Sequence, residues 1–447
     1  VTEPAPGDAA RPAAAEASCP GPGGAAPQGL GRSSRLARFA VDTSPLRASP
    51  AFRLLYLARS VALMVYGINA VAVAWQTYGL TRSSLHVALV GFCLAGGQLA
   101  GLVFGGRLAD RHDRRTLMVG SRIAYVGVVG LLLGNALLPQ AHVGLIYVAA
   151  LAGGLSSGVG APALMAALPS MVAREQLAAA GALSAISAQL AALLAPILAG
   201  ALIAGSGLAG CYAAVMVASA LTPLLLARLP QLSPAQAADR APGAAAEWRD
   251  GLRFIRRSPM ICGMLLLDLT ACLLAMPFVL LPQIATETLG GDAALAGVLH
   301  AAPALGALAA ALSSGWTRSL QRPGRVLAAM AVLWGMAVAA AGLAGSLWAM
   351  LACLALAGMA DTVGDIVRGA LLQQHTPDAL RGRVSAFWLV QSTLGPALGG
   401  LQMGYVARRF AVSTALLAGG VACTVGSAAA WAALPALRRD PEPPAQA

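Results

Sequence analysis

Between residues 54 and 437 the chain passes repeatedly through long apolar stretches separated by short polar breaks. They cover 54–80, 85–106, 116–139, 142–168, 178–204, 208–229, 259–286, 291–316, 326–345, 346–372, 385–407 and 411–437. About 20 apolar residues in helical form cross the hydrocarbon core of a bilayer. The pattern therefore predicts an all-α membrane protein with twelve transmembrane helices. Apolar residues make up 58% of the chain and charged residues 11%, against roughly 25% charged in a soluble domain. A water-soluble enzyme of this length could not cover its surface with so few polar groups. A disordered chain would be poor in apolar residues. A membrane barrel would alternate apolar and polar positions, whereas these stretches are continuous.

The net charge of +12 comes with 30 basic residues, all arginine. With the N-terminus placed inside, 24 of the 30 fall in segments on that side. Only Arg82, Arg408 and Arg409 fall in outer loops, and Arg59, Arg122 and Arg368 lie within spans. That bias places both termini of a multi-pass membrane protein in the cytoplasm. Basic and aromatic residues are not interleaved on one face, so nucleic acid is not an expected partner. Residues 1–50, rich in Ala, Pro and Gly, read as a disordered tail rather than a signal peptide. The chain begins with Val and its first Met is Met64, so an alternative start codon or a later start is expected. The expected domains are six-helix bundles at 51–229 and 259–437, a cytoplasmic linker at 230–258 and a C-terminal tail at 438–447. Within the linker, Trp248, Leu252 and Ile255 share a helical face, which predicts a short interfacial helix before Pro259. The seven cysteines form no CxxC pair, and the five histidines are scattered. No metal site, cofactor or catalytic constellation is expected, and the chain does not read as an enzyme.

The two sets of six spans echo each other at an offset of about 200–210 residues. Gly106-Arg-Leu-Ala-Asp-Arg-His-Asp-Arg-Arg-Thr-Leu117 follows the second span, and the basic stretch Gly315 to Leu327 follows the eighth. Ala195-Pro196 in the fifth span is matched by Gly395-Pro396 in the eleventh. Parallel repeats of six spans are a transporter architecture with a site between the halves. The 106–117 stretch resembles the loop signature of the major facilitator superfamily, with Asp113 where Gly is usual. The resemblance implies a cytoplasmic gate of Gly106, Asp110, Arg111, Arg114 and Arg115, with Arg381 and Arg383 in the second half, latching by pairing with the facing half. Pro196, Gly395 and Pro396 resemble the antiporter motif and are expected to bend their helices. Two further stretches, 51–60 with 80–87 and Leu371 to Val384, resemble the bacterial enterobactin exporters. That resemblance covers about residues 51–440. It implies a proton-coupled siderophore exporter of a bacterial inner membrane, working by alternating access; a multidrug or other metabolite exporter of the same superfamily is the alternative. The expected partners are a small-molecule substrate, protons and the lipid bilayer, with the protein acting as a monomer.

An ionisable group within a span costs about 2.5–3.5 kcal/mol on insertion scales, so each needs a reason. Asp268 lies nine residues into the seventh span, about 13.5 Å deep at 1.5 Å per residue. It is the first candidate for a coupling site, the alternative being a structural hydrogen bond between helices. Asp361 and Asp365 share a helical face with Arg368, either as a proton or cation relay or as an ion-pair brace. These acids depart from the enterobactin-exporter pattern, which carries small polar residues there. Arg59 either snorkels to the headgroups or attracts an anionic ligand. Tyr66 and Asn69 follow it on roughly one face. Gln189, Trp388 and Gln391, with Ser156, Ser157 and Thr393, lie on spans that line the cavity in this superfamily. Trp388 with Gln391 would suit a large ring-bearing substrate.

Overall fold

The computed structural model describes residues 42–109, 111–231, 244–315 and 320–438. Side chains of residues 166, 169 and 244–248 are excepted. All secondary structure among the described residues is helical. The first set comprises α1 (Ser44–Ala48), α2 (Pro50–Thr81), α3 (Ser84–Ala109), α4 (Arg114–Leu137), α5 (Val143–Ala167) and α6 (Leu177–Leu226). Helix α7 (Ala244–Arg257) leads to α8 (Pro259–Leu274), a broken helical segment Pro277–Thr288, and α9 (Ala293–Ser313). Then come α10 (Pro323–Gly342), α11 (Leu347–His375), α12 (Asp378–Arg409) and α13 (Val412–Ala433).

Among the described residues, ten helices are long and apolar enough to cross a membrane. Two features separate that number from the twelve expected stretches. Helix α6 has 50 residues, about 75 Å if straight, more than twice the hydrocarbon core. It folds back at Gly207, whose φ of 73° is open to a residue without Cβ. Helix α12 has 32 residues but is not among the ten, because Trp388, Gln391, Ser392, Thr393, Pro396 and Gln402 dilute its apolar stretch. The seventh stretch, read as continuous over 259–286, is interrupted at Ala275 and Met276, just before Pro277.

The tail expected over 1–50 is too long at its inner end. Residues 44–48 form α1, with Pro45 buried and Leu46 packed beside Phe52 and Leu55. Residues 1–41, 232–243 and 439–447, which hold most of the expected tails and part of the linker, lie outside the described residues. Helix α7 does form, but its packed face differs from the one expected. Ile255 is buried and Gly251 lies against Phe387, whereas Leu252 is 46% exposed. The side chain of Trp248, expected on the same face, lies outside the described part. A Cβ at Gly251 would meet the Phe387 ring of α12, so the absence of a side chain there lets that ring approach.

Small residues set the helix contacts, as they do where lipid removes the usual hydrophobic drive. Gly97, Gly101 and Gly105 of α3 face the backbone of α5, and Gly154 and Gly158 of α5 face α3 in return. A Cβ on Gly101 would stand 2.9 Å from Gly158 Cα. The second set repeats this contact: Gly306 of α9 lies on Ala355 of α11, and Gly358 of α11 on Pro303 of α9. The two sets meet through α6 with α9 and α3 with α12. Gly200 sits on Ala293 and Ala294, and Gly404 on Ser84 and Leu85. These contacts all lie near the turns at residues 82–83, 207, 289–292 and 410–411, the far end from α1 and α7.

A branched side chain in the α3–α5 seam should be costly. Gly101→Leu is expected to lose more than the about 1–3 kcal/mol typical of overpacking, read as a lower Tm in detergent. The same change at Gly106, where a Cβ meets open space, should leave Tm within error.

Candidate substrate and coupling site

The break after α8 shapes a cavity of ≈ 340 Å³ in the second set of helices. Ala275 ends the helical ladder, and its carbonyl accepts from Trp334 Nε1 of α10 at 2.8 Å. Met276 and Phe278 then turn into the wall, joined by Trp388, Ser392 and Pro396 of α12. Asp268, Asp361, Asp365 and Arg368 supply the charge.

Asp268 and the α11 trio, read from sequence as two features, form one cluster. Arg368 Nη1 lies 2.7 Å from Asp268 Oδ1. Its Nη2 lies 2.5 Å from Asp365 Oδ1 and 3.4 Å from Asp361 Oδ1. Asp268 and Arg368 are buried, at 5% and 7% exposure. The side chains of Asp361 and Asp365 are 52% and 54% exposed, so they border open space while the Asp268–Arg368 pair is packed away. Gln391 Nε2 donates to Asp268 Oδ2 at 2.8 Å and to Leu265 O at 2.9 Å. Fully ionised, the cluster has three carboxylates against one guanidinium.

This geometry separates the expected site residues. Trp388 lines the cavity, but Gln391 is committed to Asp268 rather than offered to a ligand. Arg59, Tyr66, Asn69 and Gln189 do not line it. Arg59 instead borders a crevice of ≈ 10 Å³ in the first set, about the room of one water. Arg122 shares that crevice and donates to Tyr66 Oη at 2.6 Å. Tyr66 is therefore held by a neighbour, and Asn69 Oδ1 is buried with no partner. The α2 candidates thus lie away from the cavity because α2 turns this face toward α4. Ser156 bonds across to Ser121 O at 2.5 Å, while Ser157 and Thr393 bond to their own helices.

The gate expected from the resemblance stays within each half where it is described. Arg115 donates to Ala227 O. Arg381 pairs with Asp378 at 2.7 Å, and Arg383 with Asp250 at 3.4 Å. Arg111 is exposed, and Arg114 makes contacts of its own. Asp110 lies outside the described residues. Asp113, which replaces the usual Gly, caps α4 by accepting from Thr116 N at 3.2 Å. Pro196, Gly395 and Pro396 each sit within helical backbone, Pro196 eleven residues before the turn at Gly207. The neighbouring small residues serve close approach, Gly395 against Cys272 and Gly297 against Pro196 O. Three hydrogen bonds among four side chains at the opposite end escaped the sequence reading. Tyr78 Oη donates to Glu287, Gln283 Nε2 donates to the same carboxylate at 2.8 Å, and Ser84 Oγ donates to Gln283 Oε1 at 2.6 Å. Glu287 fell one residue beyond the apolar run, which hid it.

A family model described as transmembrane secretion effector matches residues 40–445. The chain belongs to this family of the major facilitator superfamily. An enterobactin exporter (EntS) of Shigella boydii serotype 18 is 34% identical over 366 residues, 81% of this chain and 87% of that protein. An enterobactin exporter of Escherichia coli O1:K1 / APEC is 33% identical over the same shares. Among solved structures, a point mutant of the nucleoside transporter NupG aligns with a TM-score of 0.70 at 12% identity, covering 86% of this chain and 99% of that one. A bacterial homolog of the human lysosomal transporter Spinster, inward-facing and unoccupied, aligns at 0.69 and 14% identity over 90% of this chain and 100% of that one. These likenesses establish the major facilitator fold of a multi-pass membrane transporter.

Removing one partner of a buried ion pair costs at most about 3–5 kcal/mol, whereas removing both can be neutral. Asp268→Asn should therefore lower Tm, and neutralising the whole cluster (Asp268→Asn, Asp361→Asn, Asp365→Asn and Arg368→Gln together) should recover most of the loss. Thermal unfolding in detergent measures both.

Proposed function

We propose that the chain is a secondary exporter of a siderophore of the enterobactin type, driven by protons through alternating access. One observation carries the coupling part: a buried carboxylate, Asp268, shares Arg368 with two carboxylates that border a cavity within the membrane. Intramembrane acids of this kind mark proton relays. Protonation of any one carboxylate weakens its hold on Arg368, so the guanidinium can shift between Asp268 and the α11 acids. That exchange moves α8 against α11 and couples proton occupancy to helix position. The size and aromatic walls of the cavity suit a ring-bearing molecule. The names of the relatives support an enterobactin-like substrate. The contacts between helix sets near residues 82, 207 and 410 correspond to an inward-facing state with the periplasmic end closed. Cytoplasmic termini follow from the arginine distribution.

A second reading is export of cationic drugs by the same fold. It is favoured by the excess of carboxylates at Asp361 and Asp365. Deleting the gene decides between the two. Loss of secreted siderophore with unchanged drug sensitivity supports the first; intact secretion with raised drug sensitivity sinks it.

Coupling has its own test. In proteoliposomes, Asp268→Asn should abolish efflux driven by an imposed proton gradient while substrate still binds. Wild-type rates across several pH values in that variant would remove Asp268 from coupling.

A further inference from the structure

Two of the three arginines that break the charge bias share one pocket. Arg82 and Arg408 line a polar space of ≈ 290 Å³ with Thr81, Ser83, Ser84 and Gln283. Arg82 comes from the α2–α3 turn and Arg408 from the end of α12, so the pocket takes one arginine from each helix set. Neither makes a salt bridge among the described residues. The nearby carboxylate, Glu287, is occupied by Tyr78 and Gln283.

Three further features favour a negative ligand here. Helix α3 begins at Ser84, in the pocket wall, with no acidic residue in its first turn. The positive end of its dipole is therefore uncompensated. Ser83 Oγ is a buried atom with no partner. Arg82 also holds a φ of 48° as the C-cap of α2, where Gly or Asn is usual. A strained cap is retained with a cationic side chain at the pocket.

We propose that this pocket binds an anionic oxygen group, such as a phosphate, and that its occupant clamps the two helix sets together at this end. The guanidiniums offer planar pairs of donors matched to such an oxyanion. Ser84 Oγ donating to Gln283 Oε1 closes the seam behind it. The pocket exists only while the two sets touch here, so a bound anion stabilises that state and delays opening. The proposal rests on the alternating-access reading for its consequence, but anion binding itself does not.

Hydrogen exchange on the full chain tests the site. In neutral phosphatidylcholine nanodiscs, inorganic phosphate at matched ionic strength should slow exchange several-fold in residues 78–86 and 404–410. Arg82→Gln and Arg408→Gln should each lose that slowing, and Arg409→Gln, outside the pocket, should keep it. Arg82→Gly relieves the backbone, so it should keep or raise Tm yet still lose the phosphate response. A merely structural role would not give that split. Nanodiscs carrying phosphatidylglycerol separate the sources. Slowing without added phosphate, lost in Arg82→Gln, assigns the site to a lipid headgroup; slowing only with soluble phosphate assigns it to a free anion. No slowing under either condition, or equal loss in Arg409→Gln, overturns the proposal. In the wild-type chain, no phosphate slowing with intact export would overturn only this inference; no export with intact phosphate slowing would overturn only the transport reading.

Discussion

The bilayer sets the terms on which Asp268 and Arg368 exist. A lone charge at that depth is costly, and hydrocarbon offers no water to offset it. Their contact at 2.7 Å therefore fixes where α8 and α11 stand relative to each other. Much else follows from keeping that pair satisfied. Gln391 gives its amide to the second oxygen of Asp268, which ties α12 to α8 as well. Arg368 Nη2 reaches Asp361 and Asp365, which draws two more acids to the cavity wall.

Backbone that leaves the helical ladder in a membrane must find partners inside the protein. The break at Ala275 and Met276 meets that condition through Trp334, which takes the Ala275 carbonyl. Discontinuous helices of this kind surround binding sites in transporters. Here the break opens the cavity about two turns beyond Asp268. The glycine seams do the complementary work. Gly306 and Gly358 lock α9 to α11, as Gly101 and Gly158 lock α3 to α5. Each set is thereby held tightly within itself, with separate contacts joining the two sets.

Periodicity and hydropathy made the spans legible, and the turn at Gly207 fell inside the gap expected at 205–207. The internal break of the seventh stretch was not read, although Pro277 and Pro282 signalled it within the run. Helical spacing placed Asp361, Asp365 and Arg368 on one face, because three- and four-residue separations are local. Asp268 stands 100 positions before Arg368, and no periodicity links helices that far apart. The same limit separated Trp388 from Gln391 in role and sent Tyr66 to Arg122. Arg82 and Arg408 stood out in sequence as exceptions to the charge bias. Their convergence on one pocket depends on how α3 meets α12, through Gly404 on Leu85.

The excess of carboxylates constrains what coupling can mean. Asp361 and Asp365 border the cavity, so a substrate entering it meets negative charge unless protons are already bound. A cationic substrate competes with protons for the same groups, and competition at a shared site is what links opposite movements. A neutral substrate can also be displaced if protonation moves Arg368 and reshapes the wall. A strongly anionic substrate, by contrast, enters more easily when the acids are protonated, which would bind proton and substrate together rather than in alternation. Proton antiport through this cluster thus requires a cargo that is neutral or cationic where it meets α11. Any acidic groups on the cargo must then lie away from Asp361 and Asp365.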